Sequence, residues 1–330
     1  MTKYKPHIRS KKDRELDVVR MVYSLTDNSV KENHDENPDF LLYCILKKYV
    51  FGVEVTELYR NQASARLKNI PGYVDHLVEG GTHKHKDDVG ELVPDEFLLY
   101  DERGNLKTTI KGVWQNLPTL QEFLELVGNS ILEKGNKFSH YSPAARFHNL
   151  LIHDREGYFG GFKVEDFYSS FFQDILFETI QKSPFREIYF IGQIDNEDRY
   201  IPLKAYCLYA HAHQFDGFIK NEFPNGLEMK TMVELYVSLL SKVGLENTVI
   251  HPGETFIIIS YGDLTIRIDL EDHPEKSLMI FNRDLDYFDG HRADTFPVPA
   301  SHYELIEKFR LYRIQHSFRS TFSFKVNPTA

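Results

Sequence analysis

Cysteine is scarce in this chain: only Cys44 and Cys207 are present, far apart and outside any CxxC pair. A disulfide framework and a thiolate metal cage are thereby excluded, and a reduced, cytoplasmic setting is expected. Long apolar runs are missing too. None approaches the ~20 residues that a membrane helix needs. The start, Met1 to His7, has no apolar stretch behind its charges, which argues against a signal peptide and against a membrane as partner. The phosphate-cradling patterns GxxxxGK[ST] and GxGxxG are absent, as is the GxSxG nucleophile elbow. The run Tyr158-Phe159-Gly160-Gly161-Phe162 is matched to no lysine or helix start and reads as a turn. Positive charge is in deficit, with 39 Lys and Arg against 49 Asp and Glu and a net charge of −10. That balance argues against a protein that simply coats nucleic acid, whose affinity comes from neutralising phosphates. It is compatible with a nuclease whose carboxylates hold cations that supply the local positive charge.

Apolar and aromatic residues are plentiful: 42% of the chain is hydrophobic, with 25 Phe and 19 Tyr. This composition builds dense cores, and 330 residues call for two domains. Helical spacing of Leu16, Val19 and Tyr23 predicts a helix over 11–25. A polar stretch follows over 26–37. Strands are predicted at 38–43 and, more strongly, at 50–58, where β-branched and aromatic residues concentrate. Residues 79–118 read as loop and hairpin. Pro118 and Thr119 open a helix with Leu120, Leu124, Val127 and Ile131 on one stripe. A strand at 148–153, a helix at 164–181 and a strand at 186–191 complete an α/β order. Asp195 to Asp198 marks a boundary between domains at 1–195 and 196–330. The second is α+β, with a helix at 230–243, antiparallel strands at 255–260, 264–270 and 277–281, a tight turn at 261–263, and a late helix at 302–316. Its role cannot be read, and it is the part that could carry a homodimer or partner-protein contact.

The chemistry concentrates at Pro38-Asp39 and Glu54-Val55-Thr56. Along a strand Glu54 and Thr56 share one face, while Val53 and Val55 share the other. An unpaired carboxylate in so apolar a strand is costly to bury. A hard cation shared with Asp39 on the neighbouring strand would answer it. In the plain structural alternative, Asp39 caps a turn and Glu54 pairs with a basic side chain.

Pro38-Asp39 followed by Glu54-x-Thr56 resembles the PD-(D/E)xK nuclease superfamily, which includes many restriction endonucleases, over roughly residues 11–195. The resemblance implies a restriction-endonuclease-like mixed sheet flanked by helices, Mg²⁺ or Mn²⁺ as cofactor, and nucleic acid as substrate, DNA in preference to RNA. It implies metal ligation by Asp39, Glu54 and the Val55 carbonyl, with Glu15 as an outer ligand, and a role in defence against mobile DNA. The chain departs from the motif at Thr56, where the family has lysine. A relocated basic group could come from Gln62, Arg66 and Lys68, from Lys137, or from Lys134. Lys134 stands out because it continues the apolar stripe of its helix, with Ile131 three residues before it and Phe138 four after. A catalytically inactive nuclease-fold binding or assembly module is the alternative that Thr56 favours.

Two histidine pairs offer other chemistry. His83-Lys84-His85 with Asp87-Asp88 reads as a solvated loop. His211-Ala212-His213 with Asp216 reads first as structural histidines, with a zinc metallohydrolase as the alternative, since no third ligand stands out. The basic residues Lys3, Lys5, Arg9, Lys11, Lys12 and Arg14 read as a solvated arm or as one that touches phosphate.

Overall fold

The computed structural model describes residues 10–31, 37–116, 118–171, 174–243, 245, 247–270, 277–281 and 290–315. The basic positions Lys3, Lys5 and Arg9 and the end of the late helix at His316 lie outside the described residues.

Helix α1 (Lys11–Val22) starts at Ser10, which exchanges side-chain and backbone hydrogen bonds with Asp13, and ends where Tyr23 turns extended. Its Val18, Val19 and Val22 are buried. Strands β1 (Asn28–Lys31), β2 (Phe40–Cys44) and β3 (Tyr49–Leu58) follow as an antiparallel meander. Helices α2 (Gln62–Asn69) and α3 (Tyr73–Val78) and the hairpin β4 (Val93–Tyr100) and β5 (Leu106–Trp114) form an excursion. Helix α4 (Leu120–Asn136) opens on a second capping box, Thr119 with Glu122. It leads to β6 (His148–Asp154), then α5 (Val164–Phe171), α6 (Asp174–Lys182), β7 (Glu187–Ile194) and β8 (Glu197–Pro202). Next come α7 (Leu203–Glu222), α8 (Met229–Lys242), β9 (Val249–Pro252), β10 (Phe256–Tyr261), β11 (Leu264–Asp269), β12 (Leu278–Phe281), β13 (His291–Arg292) and α9 (Tyr303–Gln315).

The fold is mixed α/β. A six-stranded sheet runs β1-β2-β3-β6-β7-β8, in which β3, β6 and β7 are parallel to one another. Alternation along β3 divides the layers. Val53 and Val55 join α1 in one core, while Leu58 joins α4, α6 and α7 in the other. Glu54 and Thr56 therefore face α4. A five-stranded antiparallel sheet, β12-β11-β10-β9-β13, is built by the C-terminal part.

Several sequence expectations change. Asp195 and Asn196 are the positive-φ turn of the β7–β8 hairpin, so the six-stranded sheet continues to Pro202 across the expected boundary. The core on the α4 side is also continuous, from Leu58 to Phe309. The polar stretch 26–37 contains β1, an edge strand with Asn28 buried and three residues exposed, which leaves no apolar alternation to read. The helix expected over 164–181 is two helices. Residues 203–222 form an unforeseen helix buried on several sides, whose amphipathic signal is correspondingly weak.

Candidate active site

Asp39 stands one residue before β2, whose first pair is Phe40 with Val53, so it lies beside Glu54 on the next strand. The Asp39 N–H donates to Glu54 Oε2 at 3.3 Å, and the Val55 N–H donates to Asp39 Oδ2 at 2.8 Å. In a strand the N–H and C=O of one residue point to the same neighbour. The Val55 carbonyl is therefore directed to the same edge. Lys134 comes down from the last turn of α4, and its Nζ donates to Glu54 Oε1 at 2.5 Å. The lysine stem is mostly covered and Glu54 is buried, with side-chain exposures of 20% and 6%. On the other side, α1 brings Lys12, whose ammonium donates to the Asp39 carbonyl and lies 4.3 Å from the Phe40 ring centre. Glu15, one turn on, is buried and paired with Lys11 at 3.2 Å.

The charges are mutually strained. Burial pushes the Glu54 carboxyl above its ordinary value, and the Asp39 charge adds to this. The Lys134 ammonium pulls the other way. Glu15 is raised by the same two causes, burial and then Asp39. Lys11 is raised by its hydrogen bond to Glu15. The Tyr141 hydroxyl is buried beside Glu54. Burial and the nearby Glu54 and Asp39 charges keep that phenol protonated.

Beneath the carboxylates, His148 packs edge-on against Phe138 and beside Tyr141, over Gly52 of β3. Burial holds the imidazole neutral. A Cβ at Gly52 would overlap this ring and come within 2.8 Å of Pro38 Cγ. Gly52→Ala is expected to lower stability by ~1–3 kcal/mol, the usual cost of overpacking. Urea unfolding of the two proteins checks this, and an unchanged midpoint would mean the His148 ring gives way freely.

Among the relocation candidates, only Lys134 reaches Glu54. Arg66 is committed to Asp88 at 2.6 Å and Asp87 at 2.5 Å. Gln62 and Lys68 are exposed on α2. Lys137 is exposed and pairs with Glu133 at 2.6 Å. Thr56 is half-buried on the Glu54 side of β3. Lys12 and Tyr141 were missed as site residues. The i,i+4 spacing of Lys11 and Glu15 was a readable signal for the α1 cluster, whereas no local pattern marks Tyr141.

The His83 loop is a clasp and not a ligand set. Asp88 is fully buried and takes hydrogen bonds from Arg66 and Tyr73, while His83 Nε2 meets the Leu92 carbonyl at 2.8 Å. His211 and His213 cannot chelate together. Two residues along α7 is a turn of ~200°, so His211 is buried against Tyr236 and Phe309 while His213 is exposed. Asp216 pairs with Lys220.

Neither ring nitrogen of His211 has a hydrogen-bond partner, and burial drives its pKa well below the ordinary value. The unfolded chain therefore gains a proton near pH ~6.5 that the folded state refuses, and stability is lost as pH falls through that value. His211→Phe removes both the stranded polar atoms and this term. It is expected to add ~1 kcal/mol at neutral pH and more at pH 5.5, read by urea unfolding at the two pH values. A variant less stable than wild type at pH 5.5 would show that the imidazole is structurally required.

Asp39 and Glu54 are two carboxylates on adjoining strands, with Glu54 Oε1 held by Lys134, Glu54 Oε2 by the Asp39 N–H and Asp39 Oδ2 by the Val55 N–H. Among the described residues, no group of three or more His, Cys, Asp or Glu converges to hold a metal. Any such site rests on the Asp39 and Glu54 pair completed by backbone and water. No family model, curated protein or solved structure matches this chain.

Proposed function

We propose that the chain is a metal-dependent nuclease of the PD-(D/E)xK kind, hydrolysing phosphodiester bonds of nucleic acid. The observation that carries the reading is the Lys134 ammonium on Glu54, with Asp39 on the adjoining strand. Those contacts bring a lysine to a pair of carboxylates on adjoining strands, which supports the reading although position 56 is threonine. The arrangement of α1, three antiparallel strands, α4 and the parallel strand β6 agrees with a restriction-endonuclease-like core.

Asp39, Glu54 and the Val55 carbonyl would hold Mg²⁺ or Mn²⁺, which when bound lowers the pKa of a water and neutralises charge on the scissile phosphate. The Lys134 ammonium favours the ionised form of Glu54 against burial and would set a positive charge beside the attacking oxygen and the phosphate. Lys12 fixes the Asp39 backbone from the α1 side, and Glu15 supplies an outer carboxylate. Attack of water at phosphorus breaks one P–O bond. The products are a phosphate monoester and a hydroxyl.

The test is incubation of purified protein with duplex DNA, single-stranded DNA and RNA in Mg²⁺ or Mn²⁺, beside Asp39→Ala and Glu54→Ala. Cleavage by wild type and its loss in both variants is expected, together with Mn²⁺ binding by calorimetry that both variants lose. Wild-type protein that cuts none of these polymers while still binding Mn²⁺ would favour an inactive nuclease-fold module. Full activity in Glu54→Ala would overturn the site itself.

A further inference from the structure

At the seam between the two larger sheets lies a cavity of about 490 Å³, lined from the end of α6, the start of α7, and β9, β10, β11 and β13. That size is in the range of small-molecule sites. Its lining carries Lys182, Arg186, Lys204 and Arg292 and no Asp or Glu, in a chain where acidic residues outnumber basic ones. A concave wall of one sign focuses the field on whatever enters.

The cations are held in place from outside the cavity. Asp263 fixes the Arg186 guanidinium at 2.6 Å, Asp294 fixes Arg292 at 2.7 Å, and Glu178 reaches Lys182 at 2.5 Å. Lys204 is 2% exposed, and its ammonium donates to the Ser183 carbonyl at 2.6 Å and lies over the Tyr261 ring. None of these acidic partners is among the lining residues, so the charged groups on the wall itself are the four paired and pre-positioned cations. Ser260 and Thr265, joined at 2.9 Å, bring hydroxyls to the same wall. The buried rings of Phe185 and Tyr261 form its apolar side.

We infer that this cavity is a binding site for an organic phosphate of nucleotide size, the cations taking the phosphate and the aromatic side taking the organic part. The inference does not depend on cleavage at the Asp39 and Glu54 site. Phe185 also packs edge-on against Phe138 at 5.4 Å, which sets the cavity one aromatic layer from the cluster around His148.

The probe is ADP, titrated by calorimetry into the full chain without divalent cation, with adenosine as the control. ADP should bind and adenosine should not. Lys182→Glu and Arg292→Glu alter side chains that are 60% and 54% exposed, and each, once shown to unfold with wild-type cooperativity, should weaken ADP binding by ~10-fold or more. Lys204→Gln tests the buried cation and should weaken it further if the variant unfolds with wild-type cooperativity. Absence of ADP binding at millimolar concentration overturns the inference. So does equal binding of adenosine, or ADP binding that survives both exposed charge reversals unchanged.

Discussion

Lys134→Met is expected to lower the rate of Mg²⁺-dependent phosphodiester cleavage by ~10²-fold or more, the usual range for one positioned catalytic group. Methionine keeps much of the aliphatic stem and removes the ammonium with its charge and its donors. The substitution breaks the 2.5 Å hydrogen bond to Glu54 Oε1. Burial and Asp39 already raise the Glu54 carboxyl, and Lys134 is the first influence opposing them. Without it the Glu54 value moves further up, so the acidic limb of the pH–rate profile must move to higher pH. A purely structural lysine would leave that limb in place. Lys137→Met and Lys68→Met serve as controls, because both side chains are exposed on their helices, and each should cleave at the wild-type rate. If Lys134→Met retains full activity while Lys137→Met loses it, the basic group is Lys137 at the end of α4 and not Lys134.

The largest loss of stability is expected from Arg186→Met, at ~3–5 kcal/mol, the cost of leaving one member of a buried ion pair alone. Arg186 and Asp263 have side-chain exposures of 8% and 4% and meet at 2.6 Å. The second Asp263 oxygen accepts the Tyr189 hydroxyl. Burial alone would depress the guanidinium, but Asp263 beside it raises the Arg186 pKa overall. Glu187 adjoins this pair and accepts backbone N–H groups from Lys204, Ala205 and Asp263. The network therefore ties the six-stranded sheet to α7 and to the β10–β11 turn. The measurement is urea unfolding of Arg186→Met, Asp263→Ala and the double variant. The double variant should lose less than the sum of the singles, because no charge is then left stranded. Additive losses would show that the pair does not act as a unit.

The same network sets a pH dependence. Burial, and then the Asp263 charge, push Glu187 up to about 8. That lies above the ordinary carboxylate value, so across the interval between them the folded state holds a proton that the unfolded chain has released. The associated stability is complete below pH ~4.5 and declines as pH rises to about 8. The His211 term has the opposite sign and acts below pH ~6.5. In His211→Phe the loss of stability below pH ~6.5 should be smaller than in wild type, read by urea unfolding at pH 5.5 and 7.

Much of the site could be read from the chain alone because its signals are local. Period-two alternation put Glu54 and Thr56 on one side of β3, and spacings of three and four put Lys134 on the inward stripe of α4. Pro118 and Thr119 marked where α4 begins. Tertiary structure alone decided which of several lysines meets Glu54, because Lys134 and Glu54 are 80 residues apart and only the β3–α4–β6 crossover brings them together. It also revealed that His211 and His213 sit on different sides of a helix, and that Asp195 and Asn196 turn a hairpin within the sheet. The cationic cavity was invisible for the same reason. Its four charges come from positions 182, 186, 204 and 292, on elements whose own patterns specify helix or strand but not which neighbour they meet. Local periodicity fixes the direction of a side chain relative to its own backbone. Convergence of distant side chains depends on how the buried faces of separate elements pack, and that is set by the whole core at once.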